Sequence, residues 1–205
     1  MPLSHLHILP ASIEPRDLVS RKVFTALWKL RPSEPQKIEV MGWEVPIPRR
    51  QKAFGRDYTF SGRTSRAEPV PNLLNPFLEW GRGNVDPRAN GLLVNWYDAA
   101  ARERIGPHRD EIRGLVEGSP IVTISLGAPR IFRLREFRGS ARLDIMMGNG
   151  SVLVLPWKTN RGWKHEVLHR ADDSGCRISV TLRAFSESTT SEVGQTQPSS
   201  SHIGL

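Results

Sequence analysis

A chain of 205 residues, 38% hydrophobic and 24% charged, has the length and composition of one soluble globular domain with a real core, which excludes disordered and fibrous classes. Its longest apolar runs, such as Gly91–Val94 and Ser151–Pro156, are strand-sized and too short to span a bilayer, and the opening residues show no secretory leader. A net charge of +8, with 23 of the 29 basic residues arginine, suits a polyanionic partner; the single Cys176 forbids an internal disulfide and fits a reducing compartment, cytoplasmic or nuclear.

Residues 1–10 carry no pattern and read as a loose lead-in. From Ser12 to Leu30 the chain reads as a helix. Ser12 can cap it, Pro15 suits its first turn, and Leu18, Phe24, Leu27 and Trp28 share a face that would pack on a sheet. Ile38–Gly42, Val45–Gln51 and Tyr58–Gly62 read as short strands whose prolines confine them to edges or a hairpin, a natural substrate lid beside an active centre. Pro71–Trp80 suggests a short helix, and 81–90 a turn-rich connector. From Gly91 strand follows strand: Leu92–Tyr97, Pro120–Gly127, Arg130–Arg135, Ala141–Met147, Ser151–Leu155 after a Gly-Asn-Gly turn, and the alternating Cys176–Phe185. So many short strands with little intervening helix imply a mainly β (α+β) domain, a sandwich or jelly roll, over residues 11–185, with helices and lid in 11–90 and the core in 91–185. Residues 186–205, rich in Ser, Thr and Gln, read as a disordered tail. No heptad or spare apolar face calls for a partner subunit, so a monomer is expected.

The chemistry centres on Gly106-Pro107-His108-Arg109-Asp110. In extended backbone a His and an Asp one residue apart point the same way, so an imidazole nitrogen and a carboxylate oxygen can grip one metal ion. A second His would complete the two-His, one-carboxylate triad of non-haem Fe(II) oxygenases. His165 is the preferred third ligand, with His169 as its rival; His5, His7 and His202 fall in expected tails. Three protein ligands leave room for a chelating 2-oxo acid and dioxygen. The distal carboxylate of such a co-substrate needs a cation, and a guanidinium offers a bidentate fork. Arg177 and Arg183 lie on one face of the last strand with Ser179 and Thr181 between them; that face is either an anion site or the wet side of an edge strand.

Taken together, Asn95-Trp-Tyr97, His108-Arg-Asp110, Ser125-Leu-Gly127, Arg130-Ile-Phe132, Trp163-Lys-His165 and Arg177-Ile-Ser-Val-Thr-Leu-Arg183 resemble the AlkB family of Fe(II)/2-oxoglutarate dioxygenases across roughly residues 38–185. The resemblance implies a double-stranded β-helix (jelly roll) core with helices packed outside and a lid hairpin at its N-terminal side. It implies His108, Asp110 and His165 as iron ligands, and Asn95, Tyr97, Arg177, Thr181 and Arg183 around 2-oxoglutarate. Val40-Met-Gly42, Pro48-Arg-Arg-Gln51, Phe54-Gly55 and Tyr58–Gly62 are similar to the branch that repairs alkylated bases in duplex DNA. There, the position matching Phe60 stacks on the flipped base, Tyr58 lines the same pocket, and Met41 stands where an apolar wedge fills the vacated stack. Arg49 and Arg50 would meet the nucleic acid. Two departures are visible: the stretch after the distal His, Arg170-Ala-Asp-Asp-Ser174, has two acids where that branch is basic, and Glu111 follows the iron-binding acid where an Asp is common.

The activity so implied is oxidative demethylation of N-alkylated nucleobases, of the 1-methyladenine and 3-methylcytosine type, in DNA or RNA, with release of formaldehyde, succinate and CO2. The target base must leave the stack or be single-stranded; a methylated, cationic base suits the π-face of Phe60 and a nearby carboxylate such as Glu111. The alternatives are a dioxygenase of the same fold acting on a protein or small molecule, and a non-catalytic nucleic-acid-binding module.

Overall fold

Along the central strands, apolar and polar side chains alternate, yet both faces are covered, and this double burial organises the molecule. The structure is a computed structural model and describes residues 7–9, 16–60 and 62–186. In chain order the strands are β1 (His7–Leu9), β2 (Lys37–Val40), β3 (Trp43–Pro46), β4 (Arg50–Phe54), β5 (Tyr58–Phe60), β6 (Arg63–Ser65), β7 (Ala67–Glu68), β8 (Gly91–Asp98), β9 (Ile105–His108), β10 (Ile121–Gly127), β11 (Arg130–Glu136), β12 (Arg142–Met147), β13 (Val152–Leu155), β14 (Trp163–Val167) and β15 (Cys176–Arg183). The helices are α1 (Arg21–Trp28), α2 (Asn75–Asn84) and α3 (Trp157–Gly162).

A seven-stranded sheet runs β1-β13-β10-β15-β8-β4-β7, and a four-stranded sheet runs β12-β11-β14-β9. Every pairing is antiparallel except the short β4–β7 contact. One face of the larger sheet carries Trp96, Ile124, Ile178, Val180 and Leu182 against Leu27 of α1 and Phe77 and Leu78 of α2. Burying each such side chain contributes roughly 1.5–3 kcal/mol. The opposite face meets the smaller sheet, where Ile121, Leu153 and Leu155 pack with Phe132, Leu134, Ile145 and Trp163. The result is a jelly roll with helices outside the larger sheet. Two close approaches seat the helices. A Cβ at Gly81 would press on a methyl of Leu182, so the glycine leaves room for that side chain where α2 meets β15. Trp96 donates its indole N–H to the carbonyl of Leu27 at 3.0 Å, satisfying both buried groups.

Several elements differ from the sequence reading. The first helix covers only Arg21–Trp28, capped by Ser20, whose hydroxyl accepts from the Val23 amide; a 3-10 turn, Arg16–Val19, precedes it. Apolar spacing cannot separate that turn from an α-helix, because Leu18 and Val19 pack on the core in either form. Ser12 and Pro15 lie outside the described residues, as do residues 1–6 of the lead-in and the tail from 187. His7–Leu9, read as patternless, pairs with β13. Val45–Gln51 is broken into β3 and β4, because neither Pro46 nor Pro48 has an N–H to donate to a ladder. The helix expected over 71–80 begins at Asn75 and runs on to Asn84. No helix is long and apolar enough to cross a membrane among the described residues.

Candidate active site

Antiparallel register delivers the two imidazoles. His108 of β9 and His165 of β14 are direct cross-strand partners, and their ring centroids lie 4.2 Å apart. Asp110 follows just beyond the end of β9, on the same side as His108. Its Oδ1 lies 3.5 Å from His108 Nε2 and 3.6 Å from His165 Nε2. One ligand atom from each of these three residues lies within 4.8 Å of the other two, while His169, the rival, sits beside Asp173 instead.

Each ligand atom is oriented by a neighbour. His108 Nδ1 is 2.8 Å from the Gly106 carbonyl, which can only accept, so Nδ1 is the donor there and Nε2 is left to face Asp110. His165 stacks on Phe132, with centroids 5.3 Å apart. Burial, and then the adjacent His108, depress its basicity, which keeps the ring neutral and able to donate. For Asp110, burial alone would push the carboxyl up. The Arg183 charge and the hydrogen bonds with His108 and His165 together outweigh that, holding the carboxyl well below the usual carboxylate range. Arg183 places both Nε and Nη2 on Asp110 Oδ2, and Tyr58 donates its hydroxyl to Oδ1 at 3.2 Å. Burial, with the Asp110 charge next, raises the Tyr58 phenol, so it stays a donor.

The loop carrying Asp110 is held by a residue that sequence reasoning missed. Asn160, buried in α3, accepts from the Asp110 amide at 3.0 Å and donates to the Asp110 carbonyl at 3.1 Å. Both backbone groups of the carboxylate-bearing residue are thereby fixed across 50 positions of sequence. No local periodicity could have marked it, because nothing near Asn160 repeats.

These groups open onto a cavity of about 840 Å³ between the two sheets. Arg177, Ser179, Thr181 and Arg183 all face it, so the polar face of the last strand is interior, not the wet side of an edge. Arg177 is 0% exposed; it donates from Nε to Ser125 Oγ at 2.9 Å, its guanidinium lies 5.2 Å from the Tyr97 ring, and its Nη1 has no partner. A fully buried cation with an orphaned donor is costly unless an anion reaches it. A dicarboxylic 2-oxo acid fits that need, and two imidazole nitrogens with one carboxylate oxygen fit Fe(II). Asn95, Tyr97, Thr123 and Thr181 complete the polar wall, while Leu93, Ile121, Leu153 and Leu155 keep the remainder apolar. Arg183, expected beside Arg177 on the co-substrate, lines the same cavity and bonds Asp110 there.

The expected substrate contacts divide. Tyr58, Phe60, Arg49 and Glu111 line the cavity. Phe60 stacks on Tyr58 with centroids 5.9 Å apart. Arg49 is buried, bonds Asn95 Oδ1 at 3.0 Å and Gln51 Oε1 at 2.7 Å, and lies 5.7 Å from the Phe60 ring. Glu111 accepts from the Arg113 amide at the exposed rim. Arg50 does not line the cavity: strand alternation turns it to the other face of β4, where it joins Arg31 on the buried Glu103. Met41 does not line it either. It is 95% exposed at the β2–β3 turn, where Met41 and Gly42, at φ 51° and 82°, make the left-handed pair that a two-residue hairpin requires. Trp43, 77% exposed, pairs across the hairpin with Val40, on the face that carries Ile38 into the cavity wall. The sequence reading had passed over it.

A family profile described as the 2OG-Fe(II) oxygenase superfamily matches residues 21–183. Among characterised proteins, the chain is similar to "DNA oxidative demethylase ALKBH2" of Homo sapiens, 32% identical over 158 residues, covering 72% of this chain and 60% of that protein. The Bos taurus protein of the same name is 34% identical over 168 residues, covering 75% and 59%. "Alpha-ketoglutarate-dependent dioxygenase alkB homolog 3" of Mus musculus is 26% identical over 152 residues, covering 67% and 52%. This chain therefore spans 60% and 59% of the length of the human and bovine relatives. Among solved structures, that of OsALKBH1 superposes with a TM-score of 0.56 at 15% identity, covering 87% of this chain and 97% of the other, a likeness of fold alone.

Proposed function

This chain belongs to the 2OG-Fe(II) oxygenase superfamily, and we propose that it removes N-methyl groups oxidatively from nucleobases of the 1-methyladenine and 3-methylcytosine type in DNA. The observation that carries the reading is one cavity holding His108, Asp110 and His165, the orphaned Arg177, and the aromatic pair Tyr58 and Phe60. The relatives named DNA oxidative demethylase support DNA as the substrate. The setting would be a compartment that holds nucleic acid, cytoplasm or nucleus, with a single chain sufficient because one chain supplies every group.

His108, Asp110 and His165 would hold the iron, and Arg177 the distal carboxylate of 2-oxoglutarate, with Asn95, Tyr97 and Thr181 around it. When bound, iron and 2-oxoglutarate turn dioxygen into an oxidant that hydroxylates the N-methyl carbon, with succinate and CO2 as co-products. The residues of this chain do the rest. Arg183 and Tyr58 keep Asp110 ionised and aimed. Leu93, Ile121, Leu153 and Leu155 exclude water from the reacting carbon. Phe60 offers its ring to the everted base, whose positive charge favours a π-face, and Glu111 adds a carboxylate at the rim. The hydroxymethyl group then loses its hydroxyl proton, its C–N bond breaks with the electron pair staying on the ring nitrogen, and formaldehyde departs.

The test is turnover of 2-oxoglutarate and release of formaldehyde on single- and double-stranded oligonucleotides carrying 1-methyladenine or 3-methylcytosine. Lesion-dependent turnover by the wild type, abolished in His165→Ala, is the expected result. No turnover by the wild type, or full activity in His165→Ala, would end this reading.

A further inference from the structure

The two ends of the β11–β14 strand pair treat positive charge in opposite ways. Near the Phe132–Val167 end, the loop after β14 neutralises itself. Arg170 pairs with Asp172 at 3.0 Å and takes Asp173 Oδ2 on its amide at 2.7 Å; Asp173 also lies 3.6 Å from Arg130 and 3.9 Å from His169. At the Glu136–Trp163 end, cations gather around one ring. Phe137 is 37% exposed, and its centroid is 4.0 Å from the Arg109 guanidinium, 5.5 Å from that of Arg138 and 5.5 Å from Lys164 Nζ. Arg109 also donates to the Arg161 carbonyl at 3.0 Å, which brings a fourth cationic residue alongside. Arg109, Arg161 and Lys164 have no carboxylate partner among the described residues.

A π-face draws cations together but cannot neutralise them. The group that satisfies several at once is a multi-oxygen anion, and guanidinium forks match phosphate oxygens in particular. Position identifies which phosphate. Arg109 sits between His108 and Asp110, and Arg109 and Arg161 both line the cavity. A ligand whose reacting part lies inside would leave its adjoining anions here. For a nucleotide entering base first, those anions are the phosphodiesters flanking it on its own strand.

We infer that Arg109, Phe137, Arg138, Arg161 and Lys164 form the surface that grips the phosphodiester backbone of the strand carrying the everted base. This rests on the nucleic-acid reading above and adds where the strand is held. It also moves the grip from the loop after β14, whose charges are spent on its own aspartates, to the β11–β12 turn. A surface built on the lesion strand alone serves single-stranded substrate as well as duplex.

The test is fluorescence anisotropy with a labelled single strand of about 12 nucleotides bearing one 1-methyladenine, without oxygen, with Mn(II) in place of Fe(II) and 2-oxoglutarate present. The dissociation constant is followed between about 50 and 200 mM salt, where each lost phosphate contact on a single strand lowers the log–log slope by about 0.7. Arg138→Ser/Lys164→Gln should lower the slope by about 1.4, so that its affinity changes about sevenfold less than that of the wild type over this range. Arg138→Lys/Lys164→Arg, which keeps both charges, should hold the wild-type slope and guards against a folding defect. An unchanged slope in the neutral pair, or an equal loss in the charge-conserving pair, overturns the inference. Salt-dependent binding without any demethylation would instead sink the proposed function and leave this surface standing.

Discussion

Replacing Arg177 with methionine should push folding and ligand binding in opposite directions. The guanidinium is fully buried, bonds Ser125 Oγ and leaves Nη1 unpaired. Burial also depresses its basicity, the mark of a charge the folded chain does not solvate. Leaving a buried donor unsatisfied costs about 1–3 kcal/mol, and an apolar side chain of similar length removes that cost. For a domain of this size each kcal/mol moves the midpoint by about 2–4 °C, so the ligand-free variant should melt about 2–12 °C higher. The co-substrate sees the reverse. Hydrogen bonds to a charged group contribute about 1.5–3 kcal/mol each, and the loss of two weakens 2-oxoglutarate by roughly two to four orders of magnitude. Calorimetric titration with 2-oxoglutarate, in Mn(II) and without oxygen, reads the second effect; scanning calorimetry of the ligand-free protein reads the first. If the variant binds 2-oxoglutarate within about threefold of wild type, or melts well below it, the anion site assigned to Arg177 is wrong.

Other substitutions separate the remaining parts. Asn160→Asp keeps an acceptor for the Asp110 amide but loses the donor to its carbonyl. Mn(II) affinity, followed by electron paramagnetic resonance, should weaken about 10–100-fold, as for other partners that orient metal ligands; unchanged affinity would mean Tyr58 and Arg183 orient Asp110 unaided. Phe60→Leu removes the stacking face and should weaken a methylated oligonucleotide by about 1–3 kcal/mol in anisotropy measurements while 2-oxoglutarate binds as before; equal loss of both would point to a collapsed cavity. Gly127→Ala meets two obstacles, since φ is +82° and a Cβ there would lie 2.5 Å from the Cys176 carbonyl and from the Phe24 ring. About 2–4 kcal/mol of destabilisation should lower the midpoint by about 4–16 °C, and an unshifted midpoint would contradict the packing of α1 on β10.

The features legible in the residues alone were local. Strand alternation placed Arg177, Ser179, Thr181 and Arg183 on one face, the His-x-Asp spacing put His108 and Asp110 on one side, and the run of short strands announced a sandwich or jelly roll. The same alternation implied that Arg49 and Arg50 could not both face the cavity, and Arg50 indeed turns to Glu103. Which face meets which was set by folding. That His165 stands opposite His108, that Arg183 turns to Asp110 while Arg177 stays free for an anion, and that Asn160 clasps the Asp110 backbone are contacts between positions 57, 73 and 50 residues apart. Side-chain period reports the direction a residue points from its own backbone. It carries no record of the register between strands that bring two such directions together, and the site exists only in that register.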